Sequence, residues 1–110
     1  MTVVEQAPPR PIGKTELLKR LAAMKPSLNA LGVSHLALFG SRARNDHRIH
    51  SDVDVLIELF ENQTKFSLFD LVGIQNKLAD DIGVPFSVVM RRSMTPRFSA
   101  AIQEDIVEIF

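Results

Sequence analysis

The stretch Leu38–Leu59, LFGSRARNDHRIHSDVDVLIEL, decides how the rest of the 110-residue chain is read. It leaves an apolar run at Leu38-Phe39, turns at Gly40-Ser41, crosses a polar loop and enters a second apolar run that opens Asp52-Val53-Asp54. In an extended strand residues i and i+2 share a face, roughly 6.5–7 Å apart. Asp52 and Asp54 therefore concentrate negative charge beside a strand that must be buried, which is costly unless something positive compensates. Hard divalent cations are the usual compensation, and Mg²⁺ takes one or two carboxylates plus substrate phosphates while keeping several waters. Two such ions about 3.5–4 Å apart clamp the attacking and leaving oxygens of a phosphoryl displacement. Taken alone, Asp-x-Asp is more simply a loop end followed by a solvated strand residue.

The glycine-serine turn shifts that balance. A glycine closing a strand lets backbone approach a ligand, and Ser41 is placed to cap a short helix over Arg42–Asn45, whose N-terminus favours phosphate. Arg42 and Arg44 stand beside it as phosphate-binding cations. An anion-binding turn and a cation-binding carboxylate pair thus sit at facing strand ends, as a metal–nucleoside triphosphate requires. His47, Arg48 and His50 in the intervening loop are further phosphate or metal candidates, although a solvated loop is the simpler reading of them.

Upstream, Leu17, Leu21, Met24, Leu28 and Leu31 are spaced 4, 3, 4 and 3 apart, one stripe of an amphipathic helix. Pro26 clashes with the carbonyl of Ala22, so a kink or two short helices are expected, ended by Gly32. Val33–Phe39 reads as an interior strand with Val33, His35, Ala37 and Phe39 on one face and Ser34, Leu36 and Leu38 on the other. Val53–Phe60 reads as a second strand, with Val53, Val55, Ile57 and Leu59 facing the core and Asp52, Asp54, Leu56, Glu58 and Phe60 opposite.

Downstream, Ser67 and Asp70 match a capping box, and Phe66 and Leu71 a hydrophobic staple. The helix they start runs to about Asp81 with Leu71, Ile74, Leu78 and Ile82 inward, and Gly83 stops it. Pro85–Met90 is a third strand. Thr95-Pro96 begins another helix. Its stripe of Phe98, Ile102, Ile106 and Ile109 either continues to the end or gives way to a short final strand over 105–110. Met1–Gly13, with Pro8, Pro9 and Pro11, reads as an extended tail, leaving one domain over 14–110.

Composition narrows the function classes. Thirteen basic residues balance thirteen acidic ones, so the basic excess of a general nucleic-acid binder is missing. Zero cysteines exclude thiolate catalysis and Cys-type zinc sites and suit a reducing cytoplasm. No apolar run approaches the ~18 residues of a membrane helix. A soluble, cytoplasmic protein without a membrane partner is expected.

Gly40-Ser41 followed by ten residues and then Asp52-x-Asp54 resembles the nucleotidyltransferase superfamily of DNA polymerase β, and most closely its minimal nucleotidyltransferase branch. The resemblance runs from about Leu17 to Val107, and Arg42-Ala43-Arg44 matches the family's Gly-Ser-x-Ala-Arg continuation. It implies an α/β (α+β) domain like the polymerase β palm, a small mixed sheet with helices mainly on one face. It also implies that Gly40 and Ser41 bind the triphosphate while Asp52 and Asp54 are catalytic and hold two Mg²⁺. The donor would be an NTP, with ATP expected, and a nucleoside monophosphate would pass to a protein or small-molecule hydroxyl with release of pyrophosphate. Members of this size often act as antitoxins toward a HEPN-domain toxin, so a HEPN-domain partner or a homodimer is expected. Asn45 replaces a frequent glycine and tolerates left-handed angles. Ser87 replaces the third carboxylate the family carries on the next strand, and a neutral hydroxyl cannot act as base or strong metal ligand. A module of the same fold that binds nucleotide or masks a partner without turnover is therefore the alternative. Arg91, Arg92 and Arg97 form a basic cluster that is surface charge by default.

Overall fold

The computed structural model describes residues 12–44, 52–62 and 65–110. Most of the expected tail, and the candidates Asn45, His47, Arg48 and His50, lie outside the described residues. Ile12 is described, and it is buried in the core. The packed domain therefore begins at least two residues before Lys14.

Pro26 divides the first helical stripe as its chemistry dictates. α1 covers Lys14–Ala23 and α2 covers Lys25–Ala30, with the proline at the start of α2, where its missing N–H costs nothing. Strand β1 (Val33–Phe39) follows, then a one-turn helix α3 (Ser41–Arg44), strand β2 (Val53–Leu59), helix α4 (Leu68–Ile82), strand β3 (Phe86–Met90), helix α5 (Pro96–Ile102) and strand β4 (Val107–Glu108). The capping box at Ser67 and Asp70 is formed in both directions, and Gly83 closes α4 in the left-handed conformation.

The four strands lie in the order β3-β2-β1-β4, with β2 parallel to β3 and the other pairs antiparallel. Leu17, Leu21 and Leu28 from α1 and α2 and Ile74, Leu78 and Ile82 from α4 pack with Val53, Val55 and Ile57 on one face of the sheet. Truncating a fully buried member such as Leu78 to alanine costs about 2–5 kcal/mol. The opposite face carries a smaller cluster, Ala37, Phe39, Leu56 and Ile102, with the Phe98 ring edge-on to Phe39 at 5.9 Å. α5 thus covers only part of the face to which Asp54 belongs.

Two expectations are corrected. Strict alternation put Val33 with Ala37 and Phe39, yet it packs with Leu36 and Leu38. Val33 pairs with Leu59 and His35 with Glu58, so Ser34 is an extra residue on β1, and a bulge of this kind switches the faces before it. The last stripe does not stay helical either. α5 ends at Ile102, and Val107 and Glu108 pair with Leu38 and Ala37, which is the final strand of the two options.

Candidate active site

The site is built where β1 turns into α3. Phe39, the last residue of β1, pairs with Asp54 on β2, so Gly40 comes to lie against the Asp54 side chain. Gly40 has φ +75°, and a Cβ there would sit 2.5 Å from Asp54 Oδ2. Both the left-handed backbone and the contact require glycine. The amides of Ala43 and Arg44 donate to the Gly40 carbonyl at 3.1 Å each, which winds Ser41–Arg44 into its turn. Lys14 Nζ on α1 donates to the Ala43 carbonyl at 2.7 Å and ties that turn to the helical layer.

Asp54 is half-buried in the centre of the sheet, and Asp52 is exposed just ahead of β2. Burial pushes the Asp54 carboxyl above its usual range, the Asp52 charge pushes it the same way, and Arg44 pulls it down. Arg44 is itself held by an ion pair to Asp105 at 3.1 Å. On the other side of β2, Ser87 of β3 lies in register with Asp54. The third-strand residue that sequence singled out is therefore the direct neighbour of the central carboxylate.

The donor set is thus two carboxylates and a hydroxyl. No group of three or more His, Asp or Glu side chains converges on one point among the described residues. A hard cation that keeps waters and takes further oxygens from a phosphate fits such a set; a closed, protein-only cage does not.

Gly40, Ser41, Asp54, Arg44 and Ser87 come together, with Asp52 at the edge. Arg42, the other arginine expected to contact phosphate, is turned away from them. Its side chain is only 3% exposed, it donates to the Ile12 carbonyl at 3.3 Å, and burial lowers its pKa. On a one-turn helix, residues two apart point to different sides, so Arg42 faces inward while Arg44 faces out. Glu58 shares the Asp54 face but is paired with Arg91 at 3.2 Å, and Arg91 also reaches Glu108 at 2.9 Å. A cleft of about 310 Å³ beside Glu58, Met90 and Arg91 lies at the far end of β2. The Glu58 carboxylate in it is already ion-paired with Arg91. Lys14 and Asp105 position the turn without any local sequence signal, because each acts across more than 25 residues of chain.

A profile of the nucleotidyltransferase domain family matches residues 15–109. The chain belongs to that family. A Methanocaldococcus jannaschii protein provisionally named a protein adenylyltransferase is 33% identical over 78 residues, 70% of this chain and 76% of that one. Among solved structures, a minimal nucleotidyltransferase superposes with a TM-score of 0.72 at 25% identity, covering 87% of this chain and 95% of the other. A chain from the complex of a tri-AMPylated Shewanella oneidensis HEPN toxin with an MNT antitoxin gives 0.63 at 13% identity, over 88% and 71%. That last likeness is one of fold. Together the family and these relatives make this chain a nucleotidyltransferase, an enzyme of the class that transfers nucleoside monophosphates.

Proposed function

We propose that this chain is a Mg²⁺-dependent nucleotidyltransferase that moves a nucleoside monophosphate, AMP from ATP in the first instance, onto a hydroxyl of a protein. The observation that carries the reading is the closure of the Gly40 turn directly onto Asp54, which sets a phosphate-binding turn against a carboxylate that burial and Asp52 leave short of positive charge. Asp52 and Asp54 would hold the magnesium, which when bound supplies charge stabilisation at the phosphoryl oxygens. Gly40 and Ser41 bind the triphosphate, and Arg44 adds a cation at its edge.

In the reaction the acceptor oxygen bonds to the α-phosphorus, the α–β bridging P–O bond breaks, and pyrophosphate leaves. The acceptor's proton goes to a base carried by the acceptor protein, since Ser87 is neutral. Relatives provisionally named protein adenylyltransferases and the AMPylated-toxin complex support a protein acceptor, with a HEPN-domain partner the first to try. A cytoplasmic location is part of this reading.

Ser87 beside Asp54 favours a second reading in which the domain binds nucleotide or masks a partner without turnover. Calorimetric titration of ATP with and without Mg²⁺, on wild type and on Asp52→Ala/Asp54→Ala, tests the site. Metal-dependent binding lost in the double variant is the expected result, and absence of binding to wild type rejects the enzyme reading for the isolated chain.

A further inference from the structure

Helix α4 carries a surface that the fold does not use. Phe69 is 89% exposed, Leu68 73%, Val72 45% and nearby Leu31 44%. Single exposed apolar residues are ordinary, but a contiguous group of them marks an interaction site. The exposure is not a frayed helix end, because the capping box fixes Ser67 to Asp70 with both reciprocal hydrogen bonds.

The patch has a knob and a hole one helical turn apart. Phe69 is the knob. Four residues on, Gly73 leaves a dent in which an added Cβ would meet nothing within 4 Å. Phe69, Gly73, Lys77 and Leu31 line a cleft of about 270 Å³, and a cavity of about 150 Å³ already accommodates a benzene ring. The rim bears one charge of each sign, Asp70 and Lys77, both lining the same cleft.

We propose that α4 packs antiparallel against α4 of a second copy of this chain, with the two-fold axis at Gly73. In a two-fold interface each residue meets its counterpart reciprocally. An axis at Gly73 sets each Phe69 over the partner's Lys77, at the end of the cleft that Lys77 and Gly73 line. It also brings each Asp70 within reach of the partner's Lys77, which in its own chain pairs with Asp81 at 3.4 Å. A strongly acidic or basic foreign surface would meet a like charge here, whereas this patch complements itself. Asp54 and Ser87 belong to the opposite face of the sheet from α4, so the pairing leaves the nucleotide site open. The proposal is independent of the nucleotide reading.

The test uses the full chain in a concentration series by sedimentation velocity. A reversible dimer is expected, with Phe69→Asp raising its dissociation constant by about tenfold or more while circular dichroism stays unchanged, since the monomer does not bury Phe69. The chain has no cysteine, so Gly73→Cys reports on the axis directly. Helices in contact at that point lie within disulfide reach, and oxidation should cross-link Gly73→Cys faster than Ala22→Cys on exposed α1. A monomer at all concentrations, a dimer indifferent to Phe69→Asp, or equal cross-linking of the two variants overturns the proposal. In the first case the patch serves another protein.

Discussion

Asp54 and Glu58 stand on the same face of β2, and the fold treats them in opposite ways. Glu58 is given Arg91, which also holds Glu108, so side chains from β2, the residue after β3 and β4 close a network in which each carboxylate has a cationic partner. Asp54 is given a glycine turn on one side, Ser87 on the other and Asp52 ahead of it, while Arg44 is shared with Asp105. Its carboxyl is held above the usual range by burial and then by Asp52. An acidic residue on a strand is thus not by itself a site. It becomes one where the fold leaves the charge half-buried and incompletely matched, so that a ligand bringing positive charge relieves the cost.

The sharpest way to break this contrast is Asp54→Asn. Magnesium-dependent ATP binding should fall by more than about a hundredfold, measured by calorimetry. Stability should move the other way. The folded state holds the Asp54 proton more tightly than the unfolded chain does, so the charged carboxylate opposes folding increasingly as pH rises from 3.8, its ordinary value, through its raised value. That opposition is complete once the pH is well above the raised value. Metal-free Asp54→Asn should therefore melt no lower than wild type at pH 7, and wild type should lose stability across that acidic window relative to the variant. A variant that melts lower at pH 7 would show that Asp54 is structural, like Glu58.

Ser87→Asp sharpens the same contrast by completing the carboxylate set. If chemistry is limited by the missing base, turnover into pyrophosphate should rise by about a hundredfold. Without metal the new charge opposite Asp54 should cost up to roughly 1 kcal/mol, restored by Mg²⁺. Unchanged turnover with normal ATP binding would favour the non-catalytic reading. Gly40→Ala comes next in size. A left-handed alanine costs about 1–2 kcal/mol, and its Cβ must displace the Asp54 carboxylate. A lower Tm together with about tenfold weaker metal-dependent ATP binding is expected; a loss of stability alone would separate the turn from the site.

Much of this was legible beforehand because it is local. The strands Val33–Phe39 and Val53–Leu59, the capped α4 and the proline-split first helix all follow from periodicity, capping residues and proline chemistry within a few residues of each element. The pairing of Ser87 with Asp54 was inferable from the family resemblance. What was not legible depends on chain neighbours far apart. The bulge at Ser34 needs the partner strand to define it, the inward turn of Arg42 needs the Ile12 carbonyl, and the hold on Arg44 comes from Asp105, 61 residues away. A basic cluster at Arg91 and Arg92 looked like one surface, yet Arg91 is spoken for by Glu58 and Glu108 while Arg92 is exposed.

The smallest effect is expected where the charges are already matched. Both members of the Glu58–Arg91 pair are partly open to solvent, at 42% and 35% exposure, and pairs of that kind contribute between about 0 and 1 kcal/mol. Glu58→Gln should thus lower stability in urea by less than about 1 kcal/mol, less still at high salt, and leave ATP binding unchanged. Because Arg91 keeps Glu108 as a partner, the substitution strands no charge. A large loss of stability would mean that the far end of β2 is as finely balanced as the Asp54 end. A loss of ATP binding would move the nucleotide toward the cleft between Glu58 and Arg91, and the distinction between the two ends of the strand would fail.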